Sequence, residues 1–136
     1  MWGTGTLPTE EIWLDDSTVL AKWKHPLTER ELAASFNNLA EMLDEAVAMT
    51  HVLLEVSDAG VFPPSAPRFA IRSGLLTKSY IGNVAMIGDV QAESLMKAMF
   101  QIATSSTGKE IMYFTFIVDA LAYLDDSSYS NKPANK

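Results

Sequence analysis

His51-Val52-Leu53-Leu54-Glu55-Val56 (51–56, HVLLEV) is a short run, apolar except for His51 and Glu55, and it stops at Ser57-Asp58-Ala59-Gly60. It is too short for a helix and too apolar for a half-exposed strand, so it reads as a strand buried on both faces. Two runs of the same kind follow, 83–88 (NVAMIG) and 110–114 (EIMYF). Working outward, the stretches between them carry helical rather than alternating periodicity. Buried strands alternating with helices imply parallel pairing through crossover connections.

On the N-terminal side, Ile12 and Leu14 alternate with other residues, and so do Val19, Ala21 and Trp23. With the polar Asp16-Ser17 between the two runs, period two predicts a β-hairpin at one sheet edge. Pro26 ends the second run, because it cannot donate to a ladder. Thr28-Glu29-Arg30-Glu31 then has the form of a capping box. Leu32, Phe36, Leu39, Leu43, Ala46 and Val47 share one face of a helix expected over about 29–49, with Glu41, Asp44 and Glu45 largely elsewhere.

On the C-terminal side, a loop is expected over 57–64, and it contains Pro63-Pro64. Ser65 can cap a helix carrying Phe69, Ala70, Leu75 and Leu76 that ends near Lys78. Asp89 can cap a third, whose apolar face is Leu95, Met96, Met99, Phe100, Ile102 and Ala103. Ser105 to Gly108 breaks it. Thr115 can cap a last helix over 116–124, with Asp119 near its positive first turn. The predicted fold class is therefore α/β. It is a small mixed sheet of about five strands, an antiparallel N-terminal hairpin plus three parallel strands, covered by four helices. The domain would span 10–125, with flexible tails at 1–9 and 126–136.

Composition bounds the function. The chain has 136 residues, 48% hydrophobic and 20% charged, which suits one globular domain. It has no cysteine, so a disulfide framework, a thiolate zinc site and a Cys nucleophile are excluded. The net charge of −7 argues against nucleic acid and against anionic lipid, and is compatible with a basic partner. No secretory signal opens the chain, and no apolar run reaches the ~18 residues of a membrane span, so a cytoplasmic location is expected without a transmembrane segment. His25 and His51 are the only histidines and do not form a metal-ligand pattern. There is no G-x-S-x-G, G-x-G-x-x-G or Walker A pattern, so no cofactor is implied and a non-enzymatic role is expected.

In an open α/β sheet, ligands tend to sit beyond the carboxyl ends of the parallel strands. Here that end gathers 57–64, Gly88-Asp89 and Phe114-Thr115. Candidate ligand or partner residues are Ser57, Asp58, Ser65, Arg68, Arg72 and Asp89. Arg68 and Arg72, at i and i+4, could hold an anion at helix N-termini, though Asp58, Asp89 and Asp119 would oppose it. Asp58 with Asp89 could do acid–base work or hold Mg²⁺, but N-capping alone accounts for Asp89. Met96 and Met99 could line an adaptable surface, although methionines at helical spacing are usually core. An exposed hairpin tryptophan could mark an interface.

The elements together resemble the SpoIIAA-like fold, and within it small bacterial STAS/SEC14-type domains. The carrying segments are Leu20-Ala21-Lys22-Trp23, the strand and loop 51–58 (HVLLEVSD), the strand 84–89 (VAMIGD), and 116–124 (FIVDALAYL). The resemblance covers about 10–125. Anti-sigma-factor antagonists of this fold are non-enzymatic switches phosphorylated on a serine in a D-S-S-G-like turn. The matching region here is Ser57-Asp58-Ala59-Gly60, without the paired serines, so Ser57 and then Ser65 are the candidates the resemblance implies. SEC14-type relatives imply instead a small apolar ligand held between sheet and helices. Three readings follow: a STAS-like regulatory or protein-interaction module, self-associating as a homodimer through a helix or sheet edge or binding a protein partner; a binding protein for a small apolar ligand or lipid; and an enzyme using loop carboxylates. The first requires an exposed apolar patch, the second a cavity lined by aromatics and methionines.

Overall fold

The computed structural model describes residues 9–25, 27–58 and 63–130, with the backbone alone for 126–130. Strands β1 (Thr9–Asp15), β2 (Thr18–Lys24), β3 (Thr50–Asp58), β4 (Ile81–Ile87) and β5 (Ile111–Phe114) form one sheet in the order β1-β2-β3-β4-β5. β1 and β2 are the antiparallel hairpin, and β2 to β5 run parallel. The helices are α1 (Glu29–Asp44), α2 (Ala66–Ser73), α3 (Glu93–Thr107) and α4 (Ile117–Ser130). The chain is thus the expected α/β fold, with parallel pairing extending into the hairpin's second strand.

Two cores, one on each sheet face, place the helices. Val19, Ala21 and Trp23 of β2 share the larger core with Val52, Leu54 and Val56 of β3, Val84 and Met86 of β4, and Tyr113 of β5. α1 closes it with Leu32, Phe36, Leu39 and Leu43, α2 with Ala66 and Ala70, and α3 with Met96, Phe100 and Ala103. The alternate strand residues Leu53, Ala85 and Ile87 face the other way and meet Ala120 and Leu124 of α4. Three helices therefore cover one face, and a single helix covers part of the other.

The capping box forms as read: Thr28 Oγ1 accepts from Glu31 N–H at 3.2 Å, and the Glu31 carboxylate accepts from Thr28 N–H at 3.0 Å. Other boundaries differ. α1 stops at Asp44, so Val47 lies past its last turn and is 88% exposed instead of joining the stripe. α2 ends at Gly74, whose φ of 78° is left-handed backbone that glycine adopts without strain; Leu75 and Leu76 then bury from a 3₁₀ turn. Ser65 makes no cap bond, its hydroxyl being given to Glu29 of α1. Asp89 makes none either, because a 3₁₀ turn over 90–92 precedes α3. At α4 the first-turn carbonyl is that of Phe116, which accepts from Asp119 and Ala120 N–H, not that of Thr115. Thr9, placed in the N-terminal tail by sequence, begins β1. α4 continues to Ser130, so 126–130 extend a helix where a tail was expected; 1–8 and 131–136 lie outside the described residues.

Candidate interaction surfaces

The six residues singled out by sequence do not form a site, and Arg72, in the last turn of α2, lies toward the opposite end of the sheet from Asp58 and Asp89. Ser57 is half-buried and lies in β3, one residue short of its end. The turn expected at Ser57 does not begin there, because β3 runs on through Asp58, which pairs with Lys24 and whose carbonyl accepts from His25 N–H at 2.7 Å. Ala59 and Gly60 lie outside the described residues. The register Glu55↔Ile87 brings the ends of β3 and β4 side by side, yet Asp58 and Asp89 are both exposed to water. Asp89 contributes its carbonyl, which accepts from Tyr113 Oη at 2.8 Å. Ser65 is held by Glu29. Arg68 and Arg72 point outward from α2 and take part in neither of the ion pairs among the described residues, Lys78–Asp44 and Lys97–Glu93. Arg68 N–H donates to the Ser65 carbonyl at 2.9 Å, a backbone bond of the first turn of α2, and no side-chain bond joins any two of the six. Among the described residues no group of three or more His, Asp or Glu side chains comes together to hold a metal. No described helix is long and apolar enough to cross a membrane.

What the fold does present is apolar surface. α4 rests on β4 and β5, and no helix among the described residues packs over the same face of β1 and β2. Leu20 of β2 is only partly buried there, and Ile12, its cross-strand partner on β1, is exposed. The face of β1 that carries Ile12 is therefore open to water. α4 compounds this. Phe116, Ile117, Val118 and Leu121 are exposed as well, while Ala120 and Leu124 are buried beneath them. Tyr123 leans to β5, its ring 5.4 Å from that of Phe114. At 100° per residue, Ile117 and Leu121 lie on the opposite flank, toward the uncovered strands. Exposed apolar residues of α4 and Ile12 of β1 thus share this side of the sheet, with the partly buried Leu20 between β1 and the core under α4. Of the two hairpin tryptophans, Trp23 is 1% exposed and belongs to the core, whereas Trp13 is 40% exposed.

The helical face differs from expectation at α3. Met96, Phe100 and Ala103 are buried as read, but Leu95 and Ile102 are 62% and 60% exposed. The apolar residues of α3 extend too far round the helix for one core to take them all. Beside α3, a half-open groove of about 520 Å³ reaches the edge strand β5. Its apolar lining is Met86, Met96, Phe100, Ile111, Met112 and Tyr113, and Lys97, Gln101, Thr104 and Glu110 complete it.

Under the C-terminal half of α4, a polar cluster anchors the start of β3. His51 is buried, and its Nδ1 accepts from the backbone N–H of Asn83 at 2.9 Å, which fixes the ring proton on Nε2. Burial lowers the His51 pKa below its ordinary 6.5; Asp125 of α4 and Asp15 of β1 oppose this, and Lys109 adds to it. Lys109 Nζ donates to the Gly82 carbonyl at 2.8 Å, and burial lowers its pKa too. A histidine with a depressed folded pKa contributes stability that is fully present above its unfolded pKa and is lost as pH falls. The melting temperature should therefore drop from about pH 6.5 downward. In His51→Asn, whose amide oxygen can still accept from Asn83, the drop over that interval should be shallower; an unchanged slope would remove His51 as its source. Comparison with protein-family models, curated proteins and solved structures finds no match to this chain.

Proposed function

We propose that this domain is a non-enzymatic interaction module that pairs with a second copy of itself through α4 and the uncovered strands beside it. One observation carries the reading: between Phe116 and Leu124 the only charged residue is Asp119, so the first two turns of α4 are apolar nearly all round, and helical surface of that kind is ordinarily buried on all sides. Exposed apolar residues grouped on one side of a domain mark an association site. The charges on the same sheet face suit a self-complementary interface, because Glu10 and Lys22 stand opposite each other across β1 and β2. A patch with both signs at its border can meet its own two-fold copy without like charges facing. The resemblance to STAS-type domains agrees with a role exercised by binding alone.

Native mass spectrometry and sedimentation test this directly. The unaltered chain should be a dimer, and Ile117→Lys with Leu121→Lys should be a monomer. A buried apolar anchor contributes about 2 kcal/mol, so the pair should weaken association by well over tenfold. Both side chains are exposed in the isolated chain, so the melting temperature of the variant should stay close to its own monomer baseline. A chain that is monomeric at all working concentrations, or a variant that dimerises as before, would remove the proposal.

A second reading rests on the groove between α3 and β5, whose three methionines and two aromatics fit an apolar small molecule. In that case an apolar mass should co-purify, survive gentle ionisation and disappear on denaturation. A clean apo mass speaks for the interaction module.

A further inference from the structure

The opposite side of the molecule carries a second surface of different chemistry. α2 and α3 pack side by side over the larger core. Phe69 of α2 and Met99 of α3 are partly buried against that core and fill the seam between the two helices. On the outer side of α2, Arg68 and Arg72 lie one turn apart and exposed. Neither has a carboxylate partner among the described residues, in a chain with 17 acidic and 10 basic side chains. On the outer side of α3, Leu95, Ala98 and Ile102 are exposed at i, i+3 and i+7, one stripe down the helix. The only charges near the stripe on α3 are Lys97 and Glu93, which pair with each other at 3.1 Å. Ala98 at the centre leaves the stripe low in the middle and flanked by the two larger residues.

We propose that this face docks an acidic amphipathic helix of a partner protein. Apolar residues of that helix at i, i+3 or i+4, and i+7 would lie along Leu95, Ala98 and Ile102. Carboxylates on its flank would meet Arg68 and Arg72. The charge pattern selects this occupant. Two guanidiniums without a carboxylate partner among the described residues keep donors to offer, and a guanidinium–carboxylate contact can be bidentate. The overall charge of −7 does not forbid an acidic partner, because charges beyond the ~8 Å screening length at physiological salt count for little. A second copy of this chain fits less well, since a two-fold axis through Ala98 would bring Leu95 onto Ile102 and leave both arginine pairs unanswered. The inference is independent of the dimer proposed above, which uses the other face of the sheet.

The test uses the full chain, isotope-labelled, and two synthetic helical peptides with the same leucine spacing. One peptide carries glutamate at the flanking positions and the other lysine. The glutamate peptide should shift the amide signals of α2 and α3 around Arg68, Arg72, Leu95 and Ile102, leaving α4 unmoved. Arg68→Glu with Arg72→Glu should weaken that peptide by about tenfold or more and transfer the preference to the lysine peptide. Leu95→Ser should weaken both. All three positions are exposed, and a spectrum otherwise unchanged verifies the fold. The proposal is overturned if the glutamate peptide produces no shifts. Equal binding of both peptides, unaffected by the arginine changes, would also overturn it, as nonspecific apolar adhesion. So would arginine-dependent binding to phosphatidylglycerol vesicles without peptide binding, which would make the surface a membrane contact.

Discussion

Gly88→Ala should destabilise the domain by about 3 kcal/mol, and Tyr113→Phe should recover part of the loss when the two are combined. Gly88 follows directly on β4 and is buried; its N–H donates to the Phe114 carbonyl at 3.0 Å, which joins the ends of β4 and β5. Its backbone needs no left-handed conformation, since Gly74 and Gly108 are the only described glycines with positive φ. The requirement is for space. A Cβ at Gly88 would fall inside contact distance of Tyr113 Oη, and would stand 3.0 Å from both Tyr113 Cζ and Val56 Cγ2. Tyr113 cannot yield freely. Its ring belongs to the larger core, and its hydroxyl donates to the Asp89 carbonyl. Burial, with Asp89, Glu93 and Glu55 nearby, raises the phenol pKa, so this donor keeps its proton at neutral pH. Forcing a methyl into such a site costs about 1–3 kcal/mol in strain, and the displaced hydroxyl bond adds about 1 kcal/mol. Tyr113→Phe alone should cost about 1 kcal/mol. In the double variant the worst clash is gone and only the 3.0 Å contacts remain to relax, so it should be no less stable than Gly88→Ala alone. Simple addition of the two losses, measured by urea unfolding, would show that they act independently.

This contact illustrates what the sequence could and could not say. The runs 51–56, 83–88 and 110–114 announce strands by apolarity and length alone, and Thr28-Glu29-Arg30-Glu31 announces its helix by side-chain chemistry local to it. Such features survive folding because they depend on neighbours in the chain. The role of Gly88 depends on Tyr113, and no local pattern ties the two together. The same holds for Ser65, a sound N-cap by local chemistry, which instead meets Glu29 from α1. Asp89 likewise looks like a cap, until the intervening 3₁₀ turn moves the start of α3 beyond its reach.

The candidate sites divide along the same line. Arg68 and Arg72 were legible as an i, i+4 pair, and they do lie together on the exposed side of α2. Leu95 and Ile102 were read as core because apolar residues at helical spacing usually are; α3 has more of them than its contact with the sheet can bury. The apolar surface at α4 had a signal in the sequence, the richness of 111–124. Whether that richness would be spent on the core or left in water depended on which face of the sheet the last helix took. It takes the face that no other helix shares, and so nothing covers its outer side within the described chain. Ile12, by its alternation, pointed correctly to one face of β1, but that face is the uncovered one.

Ser35→Ala should cost about 2 kcal/mol, although Ser35 is a small polar residue in the middle of a helix, where alanine is ordinarily preferred. Ser35 is fully buried, and its hydroxyl serves two partners. It accepts from Trp23 Nε1 at 2.7 Å and donates to Glu11 Oε2 at 2.6 Å, while Asn38 Nδ2 donates to Glu11 Oε1 at 3.0 Å. One hydroxyl thus links β2, α1 and β1. The indole it orients is the largest fully buried side chain among the described residues and packs edge-on against Phe36, centroids 5.2 Å apart. Alanine gains about 0.5 kcal/mol in helix propensity. It also takes from the buried indole its Ser35 acceptor and from a carboxylate its donor, and such losses cost about 1–3 kcal/mol because water cannot replace the partner. The burial penalty exceeds the propensity gain, so the sign is destabilising. Trp23→Phe separates the two halves of the effect. In that background the indole donor is already absent, and Ser35→Ala should cost about 1 kcal/mol less than it does in the unaltered chain. If Ser35→Ala costs the same in both backgrounds, the hydroxyl matters only to Glu11, and its hydrogen bonding ties α1 to β1 and not to β2.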